Sequence, residues 1–248
     1  MDPALIPPLA VRLGVGPFDD PQGYIDWGRH EFDRLVKYGG LTPGDTVLDI
    51  GCGCGRVAIH CAQYLTTGRY VGMDNLQPLI DWCNLNIVPK FPNFEFHHVD
   101  IYSGEYNRTG IIQASSYSFP LPDNTFDLAF AVSLFTHMFL PDVQRYFAEM
   151  ARLLKPGGRL YATYFLMRDE AKAGVSGRAA IKPEYGASPS VTFSKGSPEH
   201  MIAHREDAIL RLLDNAGFSR TFFEYGNWNT GSPQFPEPYQ DTIVVRKR

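Results

Sequence analysis

The sequence predicts a one-domain α/β fold, and three stretches carry that prediction. Val47-Leu48-Asp49-Ile50 is a short, largely apolar run that breaks into alternating glycines, Gly51, Gly53 and Gly55. A helical pattern then resumes at Val57-Ala58-Ile59-His60-Cys61-Ala62. Leu128-Ala129-Phe130-Ala131-Val132 is wholly apolar, as a central parallel strand covered on both faces must be. Pro141 to Leu154 places Val143, Phe147, Met150 and Leu154 at helical spacing, and Lys155-Pro156-Gly157-Gly158 turns the chain into a further strand, Arg159 to Phe165.

Composition sets outer bounds. A chain of 248 residues, 44% hydrophobic and 20% charged, has apolar content for a full core. A formal net charge of -4 gives no electrostatic footprint for nucleic acid or an anionic membrane. No apolar run approaches the ~18 residues of a membrane span. Met1 to Pro17, broken by Pro3, Pro7 and Pro8 and without a basic start, does not read as a signal peptide. The cysteines Cys52, Cys54, Cys61 and Cys83 lack paired C-x-x-C spacing, so no metal is expected. Two of them sit inside the glycine turn, which predicts a reduced, cytoplasmic setting.

In chain order, residues 1–28 are punctuated by Pro and Gly and carry Phe18, Tyr24 and Trp27, a leader that either packs on the surface or folds over a ligand as a lid. Phe32, Leu35 and Val36 predict a helix from Trp27 to Tyr38, ended by Gly39-Gly40. The first strand and its glycine turn follow, then a second strand, Tyr70 to Asn75, ending in Asp74. Asn93 to Asp100 alternates as a third strand and again ends in an acid, and Asp127 to Ser133 is the fourth. Residues 166–203 have no steady period, and so long an irregular stretch is usually functional or mobile. Arg205 to Ala216 reads as a helix stopped by Gly217, and Phe218 to Tyr225 and Asp241 to Arg246 read as a closing strand pair. No repeat and no domain boundary is visible.

The glycine turn is the chemical centre of this pattern. Without a Cβ, glycine adopts positive φ and lets backbone lie flat against a ligand. Dinucleotide enzymes space these glycines G-x-G-x-x-G. Here the third comes one residue early, and Asp49 stands two residues before the first. A carboxylate there repels a pyrophosphate but suits a ligand bearing an ammonium group. Asp74 lies 23 residues after Gly51, near the ~20-residue offset at which a carboxylate meets ribose hydroxyls. A helix-capping role for Asp74 is the alternative, since Pro78 follows near a helix start.

The D-x-G-x-G-x-G string, the Phe119 to Asp127 stretch and the helix-LKPGG-strand unit resemble the class I S-adenosylmethionine (SAM) methyltransferases. The resemblance covers Leu41 to Gly158 firmly and the C-terminal hairpin loosely. It implies a seven-stranded, mostly parallel Rossmann-like sheet with helices on both faces and an antiparallel C-terminal edge hairpin. It also implies one methyltransferase domain over 1–248, with 1–28 as an N-terminal lid and 166–203 as a substrate-side insertion. The cofactor implied is SAM. Its methionine end would face Asp49, Gly51, Cys52, Gly53 and Gly55, its ribose Asp74, and its adenine Asn75, Leu76, Asp100 and Ile101. Ser133 and Leu134 would flank the sulfonium. The chain departs from the family's shorter pattern in carrying Tyr102 to Ser118 after Asp100. The adenine contact therefore rests either with Asp100 or with the Ala114–Ser116 segment, and Asp100 with Ile101 follow the strand directly.

Methyl transfer to a neutral alcohol needs a base. His137, four residues past Ser133, is the candidate, its alternative being a packed or capping histidine. The aromatics Tyr102, Tyr106, Phe165 and Tyr185 favour a small organic acceptor, such as a natural-product or sugar hydroxyl. N-methylation of an amine and SAM binding without turnover are the rival functions.

Overall fold

The computed structural model describes residues 2–168, 189–228 and 238–248. Tyr185 and much of the 166–203 segment lie outside them. A short helix α1 (Leu9–Arg12) opens the chain, and α2 (Pro21–Lys37) follows. Next come β1 (Thr46–Ile50), α3 (Ala58–Tyr64), β2 (Arg69–Asp74), α4 (Gln77–Asn86) and β3 (Phe94–His98). Then β4 (Phe126–Ala131), α5 (Leu140–Leu153) and β5 (Leu154–Tyr164) complete the central units. The C-terminal part holds β6 (Leu166–Met167), β7 (Ser190–Thr192), β8 (Ile202–Arg205), α6 (Glu206–Asn215), β9 (Phe218–Glu224) and β10 (Asp241–Lys247).

The main sheet has seven strands in the order β3-β2-β1-β4-β5-β10-β9. β3, β2, β1, β4 and β5 are parallel, and β10 runs antiparallel to both β5 and β9. The expected architecture is the observed one. Strand alternation sends Leu48, Ile50, Val71 and Met73 to the face covered by Val143, Phe147 and Met150 of α5 and Ile209 and Leu213 of α6. Val47, Tyr70, Leu128 and Phe130 face the other way, onto Phe32 and Leu35 of α2, Ile59 of α3 and Leu79 of α4. The order reverses between β1 and β4, and at such a switch the loops leaving the carboxyl ends of the strands part to leave a crevice.

Three elements differ from expectation. Helix α2 begins six residues early, because the Asp20 carboxylate accepts from the Gln22 and Gly23 backbone N–H groups and Pro21 occupies the first turn. β5 takes in Lys155-Pro156-Gly157-Gly158, with Gly157 at φ 75°. Within 166–203 the described residues form a small sheet, β6-β8-β7. Buried His204 ties that sheet to the body, its Nε2 donating to the Phe135 carbonyl (3.1 Å) while Nδ1 accepts from the Ser190 hydroxyl (2.8 Å).

Helix α2 crosses the start of α3 so closely that a Cβ on Gly28 would sit on the Arg56 carbonyl. Alanine favours helix over glycine by ~1 kcal/mol, but backbone overlap of this kind costs roughly 1–3 kcal/mol. Gly28→Ala is therefore expected to melt lower than the parent chain in a thermal scan, despite its better helix propensity.

Candidate cofactor and acceptor site

A cavity of about 290 Å³ opens where β1, β2 and β4 end, at the lower edge of the ~300–1,000 Å³ usual for ligand sites. Gly51 and Gly53 form one wall at φ 81° and φ 55°. The turn is held from β2: the Gly53 N–H donates to Asp74 Oδ2 (2.8 Å), while the Leu76 N–H donates to Asp74 Oδ1 (2.9 Å). Burial pushes the Asp74 carboxyl up, and those backbone donors pull it back down. Three backbone N–H groups, those of Gly53, Asn75 and Leu76, act on the carboxylate, which offers about four acceptor positions. Asp74 therefore both caps the chain after β2 and keeps capacity for ligand hydroxyls.

Of the residues singled out in the sequence, the cavity gathers Gly51, Gly53, Asp74, Asn75, Leu76, Ile101, Ser133, Leu134 and His137. Asp49, Cys52, Gly55 and Asp100 are not in its lining. Asp49 points to the opposite face of β1 from Leu48 and Ile50, where its carboxylate accepts from the Tyr70 hydroxyl. Burial lifts it to about 7; the Tyr70 hydrogen bond and the Arg56 charge oppose that rise, and nearby Asp74 adds to it. The Cys52 thiol turns inward to the Gly53 carbonyl. A Cβ on Gly55 would meet Ile87 at 2.6 Å, so that glycine serves packing. Asp100 accepts from Asn107 (3.2 Å) and so braces the following loop. Gln113 and Ala114 line the cavity beside Ile101, so both segments left open by the sequence reach it.

Other lining residues escaped the sequence reading. Gly14 and Val15 of the leader reach the glycine turn, where Val15 would lie 2.6 Å from a Cβ on Gly53. Arg56 lines the same end, its guanidinium 4.6 Å from the Phe18 ring centroid. Among the described residues no carboxylate pairs with it. Its place just past a glycine turn was the only available signal. Ser133 sits at φ 59°, rare outside glycine, with its N–H donated to Thr163 Oγ1 (2.8 Å).

His137 closes the far end, beside Tyr106, Phe139, Asp142 and Tyr146. Its Nδ1 lies 2.9 Å from the Glu199 carbonyl oxygen, which can only accept, so Nδ1 carries the hydrogen. Nε2 is then a free base, 3.3 Å from the Tyr106 hydroxyl. Burial lowers the His137 pKa, partly offset by the Glu199 carbonyl. Burial thus favours the neutral imidazole, and in that form the lone pair is at Nε2.

Residues 48–162 match the model of a family described as "Methyltransferase domain". This stretch of the chain resembles a methyltransferase domain. The chain is 29% identical over 139 residues to the sterol 24-C-methyltransferase of Pneumocystis carinii, covering 55% of this chain and 31% of that protein. The chain thus spans about a third of that relative's length. The fold is that of solved SAM-dependent methyltransferases. The 1,6-didemethyltoxoflavin-N1-methyltransferase of Burkholderia thailandensis, solved with S-adenosylhomocysteine, aligns at TM-score 0.61 and 17% identity over 96% of this chain and 84% of that one. PH0226 of Pyrococcus horikoshii OT3 aligns at TM-score 0.62 and 16% identity over 94% and 93%. The methyltransferase family uses SAM as its methyl donor. No helix among the described residues is long and apolar enough to cross a membrane.

The Asp49 carboxyl gives this domain a testable pH signature. Its folded pKa of about 7 stands above the ordinary aspartate value of 3.8, so the stability it contributes is complete below the lower value and is lost as pH rises through the higher. Asp49→Asn keeps an acceptor for Tyr70 and cannot ionise. Thermal melts are expected to show it gaining on the order of 1–3 kcal/mol over the parent at pH 8, a gain that fades toward pH 4.

Proposed function

We propose that this chain transfers the methyl group of SAM to a hydroxyl of a small organic acceptor, with His137 taking the hydroxyl proton. The observation that carries the reading is an imidazole whose Nδ1 is held by the Glu199 carbonyl, leaving Nε2 as the available base, in the wall of the cavity that also holds Asp74 and the glycine turn. The donor set fits SAM: a carboxylate for a diol, a side-chain amide at Gln113 for a base, and a cation at Arg56 for an amino-acid carboxylate. In this reading Asp74 accepts from the ribose hydroxyls, and Asn75, Leu76, Ile101, Gln113 and Ala114 surround the adenine. Arg56 pairs with the methionine carboxylate, and Leu134 and Ser133 border the reacting centre.

SAM brings a methyl group already activated by the charge on sulfur. The protein's task is to orient the acceptor, exclude water and receive a proton. Positioning alone supplies effective molarities of ~10⁵ M or more, and a placed base adds ~10²–10⁴-fold. The leader residues Gly14 and Val15 cover the methionine end, and the loop carrying Tyr106 covers the acceptor end. A second reading, methylation at carbon, is favoured by the likeness to sterol 24-C-methyltransferases. A carbon acceptor must also shed a proton, so His137 keeps its role. Incubation with methyl-labelled SAM and a panel of alcohols, phenols, sterols and amines separates these readings. Label in amines alone would overturn the hydroxyl reading, and label in none of them would leave a SAM-binding protein.

Asp74→Ala is expected to weaken SAM binding by roughly 1–3 kcal/mol in calorimetry, the scale for removing a charged hydrogen-bond partner. His137→Ala is expected to lower kcat at least ~10²-fold with SAM affinity nearly unchanged. In the parent, kcat/KM is expected to rise with pH through an ionisation below the ordinary histidine value of about 6.5, because burial disfavours the imidazolium. That limb should be missing from the variant. A variant that melts lower yet turns over at the parent rate would make His137 a packing residue.

A further inference from the structure

Two loops roof the acceptor end, and they grip each other through a crossed pair of carboxylates. One follows β3 and carries Ser103, Gly104, Glu105 and Tyr106; the other, between β7 and β8, carries Ser197, Glu199 and His200. Glu199 Oε2 accepts from Ser103 Oγ (3.0 Å) and from the Gly104 N–H (2.6 Å). In return Glu105 accepts from Ser197 Oγ (2.5 Å) and pairs with His200 Nδ1 (2.8 Å). The two carboxylates are not equivalent. Glu199 lines the cavity, and its own backbone carbonyl is the atom that holds His137 Nδ1. The loop held by its side chain is the one that brings Tyr106 to His137 Nε2, ring edge to ring face at 5.1 Å.

One residue thus reaches both nitrogens of the imidazole, one directly and the other through the loop it clasps. We infer that Glu199 is a positioning residue for His137, its carbonyl setting the Nδ1–H tautomer and its carboxylate seating Tyr106 against Nε2. The inference rests on the reading of His137 as base. A carbonyl holds a tautomer only if its own backbone is fixed. Glu199 sits in a three-residue 3-10 turn, Pro198–His200, which on its own has little to hold it in register. The hydrogen bonds of its side chain to the facing loop, together with those of Glu105 to Ser197 and His200, fix that carbonyl. Tyr106 then donates to Nε2 in the resting protein and keeps water off the lone pair until an acceptor hydroxyl replaces it.

Both hydrogen bonds end on a single oxygen of Glu199. An amide oxygen can accept both, so Glu199→Gln should preserve the arrangement while Glu199→Ala destroys it. The test reads side-chain ¹⁵N shifts of His137 in the full chain with S-adenosylhomocysteine bound, together with turnover of whichever acceptor the labelling panel returns. The parent and Glu199→Gln are expected to show the Nδ1–H tautomer and similar kcat. Glu199→Ala is expected to show a tautomer mixture, with kcat down at least tenfold and S-adenosylhomocysteine affinity kept. Ser103→Ala, which removes one donor from the opposite loop, should shift the tautomer in the same direction by less, and gives the readout if Glu199→Ala does not fold. A parent-like tautomer and kcat in Glu199→Ala, or a Gln variant as impaired as the Ala variant, would overturn the inference. If instead His137→Ala turns over at the parent rate, the base reading fails, and the tautomer measurement separately reports whether Glu199 holds the ring.

Discussion

The hydrogen bond from the Gly53 N–H to the Asp74 carboxylate is the constraint on which the site depends. It ties the turn after β1 to the end of β2, and it does so with a group that burial makes costly to ionise. A buried carboxylate needs donors, and the positive-φ turn supplies a backbone N–H because Gly51 and Gly53 present no side chain in the way. The Gly51 and Cys52 N–H groups go instead to the Met73 carbonyl (2.8 and 3.1 Å), so the turn is stitched to β2 by three bonds in all. With that edge rigid, the crevice at the β1–β4 switch has one defined wall, and the remaining loops only have to cover it.

How they cover it explains which parts of the site were legible. Gly51, Gly53, Asp74, Ser133 and Leu134 lie at or just after strand ends, and strand ends announce themselves through apolar runs and the residues that break them. Asp49 lies outside the cavity lining, and its parity was on the page. It alternates with Leu48 and Ile50 along β1, so it faces the opposite side, whatever its distance from the glycines. Asp100 lies outside the lining for another reason. The chain after β3 does not run straight past the ligand but loops through Tyr102–Gly110 and pairs Ile101 with Ile112 before Gln113 and Ala114 arrive at the cavity. That return is a tertiary event with no local period. Val15 and Glu199 were hidden likewise, since each reaches the site from a segment whose position depends on packing elsewhere.

The cysteines show the same limit. All four are buried and free, and Cys52 and Cys83 both donate to the Gly53 carbonyl, at 3.6 and 3.7 Å. Burial raises the Cys52, Cys54, Cys61 and Cys83 pKa values, which keeps these groups protonated as small apolar side chains. Their residue type invites a redox reading. Their surroundings make them buried filler around the turn, Cys83 from α4, Cys61 from α3 and Cys54 against Tyr24 of α2.

Strain adds a last argument about where the rigid part of the site ends. Ser133 holds a left-handed conformation that costs a non-glycine residue on the order of 1 kcal/mol. It persists because its N–H is taken by Thr163 Oγ1, whose own hydroxyl donates to Gln240 Oε1 (2.6 Å), while Thr136 Oγ1 donates to the Ser133 carbonyl (3.0 Å). These bonds join the exit of β4 to β5 and to the residue preceding β10, three strands of the main sheet. They turn the backbone sharply and start the short 3-10 turn Phe135–His137 toward the cavity. A relaxed Ser133 would carry that turn in another direction and His137 with it. The imidazole is therefore aimed from two sides: its Cα by a strained turn rooted in the sheet, and its ring by the roof loops. The first is built into the fold. The second depends on side chains that meet across two loops, and that is the part of the site evolution can alter without disturbing the sheet.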